Sequence, residues 1–565
     1  MGRPGMTGMP WVEPTTNWRR IWMIIEKHRT DHRQIQNRAR AWRLMLGSAL
    51  LLCASPPVHA ETLMDAVEAA YARNPTLVEQ RYRQKSVNEN YVQTRGQYGP
   101  TLSLNATGLY EYSKLRSLES DKNTGELSLN LRQQVYSGGR FRGQLAEARA
   151  NVQASEETLR RAEGEVVRQV IAVYAAVLRD QQRLEVAREN VAALRDQLIE
   201  RRAKRKVRDV TITDVAQADL RLASGETQLS AAEAQLQVSR GQYLQIVGHS
   251  PGELQPLPEL PGLPATIDEA FAIATEENAQ LSSARFNEEA SRARIAAERG
   301  NQRPSAVITA QAGKVGQLSP FDRRDYSTAV TAQLTVTQPL YQSGIIRSRI
   351  RQAQNLNDAD QAVVDGERRQ ALQDVVSAWS TLASSRVGVV TGARQVEAAQ
   401  IAFTGMQREE RFGLRSTIEV LNAEQELASS QLGLLSNRYQ EYVARASLLL
   451  AMGRLDARTV NSAIPAKDPD AEFKKVRWRG MLPVEPPLML LDHIGSASPT
   501  SPRKPDLRGQ GQPKPNGGMT MPATPDRRFT SEPLQPIRES KLVPSDQLPD
   551  TVRDYETAPG SDAPR

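Results

Sequence analysis

Residues 413–427 read GLRSTIEVLNAEQEL, and 205 residues earlier residues 208–222 read RDVTITDVAQADLRL. Each stretch is a short break between two long polar helical runs. Each reopens a helix with a Ser/Thr-led start and then a Val or Leu stripe at three-to-four spacing. Both are expected to be the bends of long helical hairpins, and what gathers at those bends should decide the function.

The echo belongs to a duplication of most of the chain. Thr62, Gly96 and Pro100 align with Thr266, Gly300 and Pro304 at an offset of 204. From Gln133 the offset is 205, pairing Gln133 with Gln338, Tyr136 with Tyr341, Gly139 with Gly344, Tyr174 with Trp379 and Gly248 with Gly453. Residues 61–248 and 266–455 are thus two homologous repeats. The connector at 249–265 is proline-rich and cannot continue a helix.

Within each repeat the apolar period changes. Residues 62–97 read as helix. Beyond Pro100, Leu102, Leu104, Ala106, Tyr110 and Tyr112 alternate with Ser103, Asn105, Thr107 and Glu111, and Leu127, Leu129 and Leu131 with Ser128, Asn130 and Arg132. This predicts a two-stranded hairpin around a polar loop at 113–125. The second repeat predicts another at 306–312 and 328–336. Strands of about ten residues, with Tyr110, Tyr112, Tyr136, Tyr326 and Tyr341 near their ends, fit an outer-membrane barrel with aromatic girdles. Four strands cannot close a barrel, which needs roughly eight, so identical chains must complete it. A homotrimer forming a 12-stranded barrel is the simplest cyclic solution.

A long helical run follows each strand pair. Val166, Val170, Val173, Val177, Leu184, Ala187, Val191, Leu194 and Leu198 form a coiled-coil seam. As one helix, residues 140–207 would extend about 100 Å. Runs 62–97 and 212–247 are about half as long and would match it when stacked end to end. The expected fold class is an α+β membrane protein: a trimeric transmembrane β-barrel continued by a long periplasmic α-helical coiled-coil barrel.

The flanks differ from this core. Arg38, Arg40 and Arg43 precede the apolar run 44–52, and Val58-His59-Ala60 predicts cleavage of an export signal before Glu61, so 1–60 reads as leader. Cys53, the one cysteine, would leave with it, and Leu52 before it argues against lipidation. Residues 456–565 read as a disordered tail, since 466–565 hold 17 of the 33 prolines; within it only 481–494 could dock. The +8 net charge sits mostly in 1–60, which hold nine Lys/Arg against three Asp/Glu, so the middle implies no nucleic-acid partner. With His28, His32 and His59 in the leader, only His249 and His493 remain, and no metal cluster, nucleophile elbow or nucleotide loop is evident; no enzyme activity, cofactor or metal is expected.

The span 62–455 resembles the TolC-like outer-membrane efflux protein family through its duplicated layout, QPLYQSG at 338–344 with its partner QQVYSGG at 133–139, and VLNAEQEL at 420–427. TDVAQADLRL at 213–222 is similar to the branch serving type I protein secretion. The resemblance implies a passive trimeric duct crossing outer membrane and periplasm, opened when a periplasmic adaptor and an inner-membrane ABC or RND-type pump dock. It also implies a gate at the tip. Arg415 matches the family's latch arginine and Thr213-Asp214 its partners, while the family's latch tyrosine falls on Glu410. Two inward aspartates fall on Glu419 and Asn422, where three copies of Glu419 would ring the aperture and gain affinity for protons. Gly413 and Leu414, with Arg208 and Val210, fall on the bends and adaptor contact; Arg208 stands where the second bend has glycine, which leaves the first bend's shape open.

Read without the resemblance, Arg415 and Glu419 form an ordinary i,i+4 surface pair and Asp214 a helix cap. Small-molecule efflux is the alternative to protein secretion. A periplasmic adaptor would show one hairpin flanked by compact β-domains, and an envelope coiled coil would lack the strand pairs.

Overall fold

The computed structural model describes residues 60–116, 118–318, 326–460, 469–483 and 485–492. The expected leader over 1–59, including Cys53, and the tail beyond 492, including His493, lie outside these residues.

The first repeat runs α1 (Leu63–Arg73), α2 (Pro75–Gly96), β1 (Thr101–Leu115), β2 (Leu118–Tyr136), α3 (Arg140–Lys206) and α4 (Ile212–Val247). The second runs α5 (Ile267–Glu277), α6 (Ala279–Gly300), β3 (Ser305–Gln317), β4 (Ser327–Thr337), α7 (Ile345–Arg411) and α8 (Thr417–Met452). Three short helices follow: α9 (Ala457–Val460), α10 (Pro469–Val476) and α11 (Glu485–Leu491).

The single helix expected over 62–97 is two. Pro75 has no N–H to continue α1, and the Asn74 side chain starts α2 by accepting from Thr76 N at 3.0 Å. The Asn74 amide also donates to Ile246 O at 3.0 Å, near the end of α4. Asn278 repeats the device, accepting from Leu281 N at 3.0 Å and donating to Ala451 O at 2.9 Å on α8. A single residue type at equivalent positions thus breaks each column and ties it to the hairpin that returns.

Helices α3 and α7 are 67 residues each, about 100 Å at 1.5 Å per residue. Val166, Val170, Val177, Leu184, Val191, Leu194 and Leu198 of the expected seam are buried, and the repeat-related Tyr174 and Trp379 are fully enclosed. Tyr174 Oη donates toward the carbonyls of Glu61 and Gln255, at 2.8 and 2.7 Å, and so holds the connector against the core.

The sheet is antiparallel in the order β1-β2-β3-β4. Its register lines up Leu102, Leu131, Ala310 and Ala332, then Leu104, Leu129, Ala312 and Val330, on one face. The other face carries Ser103, Asn130, Gln311 and Thr331. Apolar rows aligned across all four strands on one face, with polar rows on the other, are the pattern of a sheet between lipid and water; beyond these rows Lys314 joins the apolar face opposite Leu127. The strands are longer than expected, because ladder hydrogen bonds do not depend on side-chain hydropathy: β1 and β2 pair out to Leu115 and Leu118 instead of opening into a loop at 113–125. Tyr110 and Tyr112 therefore lie within β1, at the end of the apolar band and not at the strand end. On β1 the run from Leu102 to Tyr112 covers roughly 33 Å of strand, or about 25 Å of height at the usual tilt, while on β2 the same face is apolar from Leu127 to Leu131.

Within the stretch expected to be a disordered tail, residues 469–483 and 485–492 are held against the first repeat, which bears out docking by the described part of 481–494 and extends it back to Phe473. Phe473 meets Tyr91 edge-on at 4.9 Å. The buried Arg95 guanidinium donates to the carbonyls of Arg477 and Arg479. Asp492 accepts from Ser137 N at 2.7 Å, Ser137 Oγ at 2.8 Å and Gly139 N at 3.3 Å. Proline content alone could not reveal this order, which comes from buried donors elsewhere in the chain.

Candidate functional site at the hairpin bends

Both bends have the same backbone. After α3, Asp209 N donates to Lys204 O at 3.0 Å with Arg208 at φ 63°; after α7, Leu414 N donates to Glu409 O at 3.0 Å with Gly413 at φ 74°. These are Schellman-type ends with a left-handed residue at the same repeat position. Arg208 thus takes the glycine geometry despite its Cβ, at a cost of about 1 kcal/mol. Val207, Ile212, Phe412 and Leu414 are exposed apolar side chains around the two bends, with Val210 half-buried.

The next helix opens in each case with a capping box. Asp214 Oδ2 accepts from Thr211 N at 2.8 Å and Thr211 Oγ1 at 2.7 Å; Glu419 Oε2 accepts from Ser416 N at 2.9 Å and Ser416 Oγ at 2.7 Å. Thr211 holds the Asp214 carboxyl below its usual range. The Ser416 backbone N–H, the Ser416 hydroxyl and Arg415 together pull Glu419 down to about 2. Within one chain this is opposite to the raised proton affinity expected of Glu419: a carboxylate already accepting these bonds resists protonation.

Arg415 donates to Glu409 at 2.7 Å and to Glu419 at 3.0 Å. Within the chain it makes no bond to Thr213 or Asp214, and Thr213 is exposed. Glu410 is instead the acceptor for Arg201 of the first hairpin, with side chains only 14% and 7% exposed, and accepts from Thr417 Oγ1 at 3.2 Å. Asn422 Oδ1 accepts from Arg221 at 2.7 Å, and Arg221 also reaches Gln425. Gln197 donates to the buried Glu424 at 2.7 Å, and burial pushes that carboxyl up.

Three links therefore join the hairpins near their bends, and the sequence reading named only one side of two of them. A signal was available. Arg201 continues the 191, 194, 198 seam, and Glu424 lies between Val420 and Leu427, so each puts a charge where the spacing asks for an apolar residue. A cavity of about 500 Å³ between the hairpins is lined by Asn190, Leu194, Arg221, Leu421 and Glu424. Parting the hairpins would break these links and wet Glu424.

Comparison with known proteins gives this geometry a context. The model of the family described as outer membrane efflux protein matches residues 66–249 and 272–454. The outer membrane efflux protein BepC of Brucella suis biovar 1 is 29% identical over 424 residues, covering 74% of this chain and 92% of BepC. The proteases secretion protein PrtF of Dickeya chrysanthemi is 24% identical over 408 residues, covering 70% and 81%. The Campylobacter jejuni CmeC outer membrane channel shares the fold, with a TM-score of 0.64 at 14% identity, covering 73% of this chain and 88% of CmeC.

Proposed function

The chain belongs to the outer membrane efflux protein family, and from that membership we propose that it is the passive outer-membrane exit duct of a tripartite export system, assembled as a homotrimer. The observation carrying this reading is the sheet: apolar rows through Leu102 and Leu104 run across all four strands on one face, and β1 and β4 are each paired on one side only. Three copies joined β4 to β1 close a 12-stranded barrel. Repeat symmetry supports the same joint among the helices. Helix α6 packs on α3 through close contacts such as Gly143 to Ala297, and by symmetry α2 of one chain would pack on α7 of the next.

Opening would part the two hairpins, driven by an adaptor seated on the exposed bends around Gly413, Leu414, Arg208 and Val210, and by an ABC or RND-type inner-membrane pump. Before opening, Arg415 would act between chains as the latch that holds the tip shut, reaching Thr213 and Asp214 of a neighbour in competition with Glu409 and Glu419. For cargo, the 213–222 motif and the likeness to PrtF favour type I protein secretion. Small-molecule efflux is the second reading, favoured by the likeness to BepC. The test is planar-bilayer conductance of the purified trimer: Arg415→Ala and Asp214→Ala should each raise it, and unchanged conductance in both rejects the latch. Deleting the gene and comparing secreted proteins with drug susceptibility separates the cargo readings.

A further inference from the structure

Residues 469–483 and 485–492 lie beyond the family match, which ends at 454, yet they are built into the molecule. The inward side of this segment is satisfied by Phe473 on Tyr91, by Arg95 under the carbonyls of Arg477 and Arg479, and by Asp492 on the Ser137 and Gly139 amides. Its outward side presents Trp478, Leu482 and Leu490, which are 53%, 47% and 68% exposed. Among them stand four cations and no acid over residues 473–483. Lys474 and Lys475 are exposed, Arg477 lies 5.2 Å over the Trp478 ring, and Arg479 reaches Glu89 at 3.0 Å.

The height of this segment gives these residues a purpose. Every helix attached to the sheet joins it at the same end, where Gly99, Ser137 and Pro304 lie, so on the barrel reading this end faces the periplasm. Arg95, under Arg477 and Arg479, lies in the last turn of α2, six residues before β1 starts at Thr101, and Asp492 sits on the Ser137 and Gly139 amides just past the end of β2, so the segment lies beside the strand ends next to Leu102 and Leu131. That is close to the head-group layer, which extends about 5–8 Å beyond the hydrocarbon on each side. Tryptophan and cations beside a band of leucines at that depth are the composition of an interfacial anchor.

We propose that residues 473–483 and 485–491 form a strap that engages anionic phospholipid head groups of the periplasmic leaflet, with Trp478 and Leu490 at the lipid boundary and Lys474 and Lys475 on the phosphates. This rests on the sheet crossing the membrane, and the test separates the two. Trp11, Trp18, Trp22 and Trp42 fall in the expected leader, so the mature chain has two tryptophans, Trp478 and the enclosed Trp379. The mature channel is reconstituted in vesicles of phosphatidylcholine with or without phosphatidylglycerol, carrying lipids brominated at shallow acyl positions. Emission from Trp478 is the difference between wild type and Trp478→Phe. It should fall about two-fold on bromination, and further with phosphatidylglycerol. Lys474→Glu with Lys475→Glu should remove only the phosphatidylglycerol increment. Equal quenching in both lipids overturns the head-group assignment, and no quenching in vesicles that conduct overturns the strap. Vesicles that do not conduct count against the channel reading instead.

Discussion

At residues 208 and 413 the chain makes the same turn twice, and the two hairpins leading into those turns have become chemically complementary. The first supplies donors, Gln197, Arg201 and Arg221; the second supplies acceptors, Glu410, Asn422, Glu424 and Gln425. At the repeat-equivalent position Arg201 corresponds to Met406, and Arg221 to Glu426. Duplication alone would place like beside like, so the cross-hairpin contact was acquired by divergence while the backbone stayed the same. Near the bends the hairpins meet through these polar links, whereas farther from the bends both contribute to one apolar core that holds Tyr174, Tyr243, Trp379 and Leu448.

The strongest way to break this complementarity is Arg201→Ala. It leaves Glu410 buried without its cation, at a cost of about 3 kcal/mol or more to the contact. Single-channel conductance should rise and thermal stability fall, and pairing the change with Glu410→Leu should restore much of both.

The next effect is on pH dependence. Burial raises the Glu424 carboxyl, so its contribution to the closed contact is full below the ordinary carboxylate value and is lost as pH rises through the raised one. Acidification should therefore reduce conductance, and Glu424→Gln should keep it low at every pH. Glu419 behaves oppositely. Held at about 2, its contribution is present above 4.5 and is lost as pH falls toward 2, so an acid titration distinguishes the two glutamates.

Smaller still, Arg208→Gly should stabilise the first hairpin by about 1 kcal/mol by relieving the left-handed backbone, visible as a raised melting temperature. Smallest is Arg415→Ala. Its pairs with Glu409 and Glu419 are solvent-exposed and screened, so the melting temperature should barely move. Any larger change in conductance then comes from a neighbouring chain.

Much of this architecture was legible because two periods, two and three-to-four, are written twice. The long helices, the strand pairs and the bend positions follow from the spacing of Leu and Val. The strand lengths were not legible, since polar residues such as Ser113 and Asp121 pair as well as leucines do once a ladder exists. The break at Asn74-Pro75 was visible in the residues but outweighed by the helical run around it. Docking by 481–494 was legible as an apolar run inside the proline-rich tail, but its partners Arg95, Tyr98 and the Ser137–Gly139 amides lie hundreds of residues away, and no local pattern announces them. At the bends, motif matching selected Arg415, while the buried pair formed by Arg201 and Glu410 showed only as a charge out of place in a seam.

The half-paired strands also bear on how such a molecule is made. Until copies meet, β1 and β4 each offer a row of unused amides and carbonyls to any extended polypeptide nearby, the usual route to misassembly. Biogenesis is then a race between encounter and aggregation, decided by local concentration and by whatever chaperone shields those margins during the crossing. In the proposed trimer, the 11 residues of β4 would limit the joint between copies to a shorter ladder than the β1–β2 pairing, which uses all 15 residues of β1, and forced disassembly should begin there.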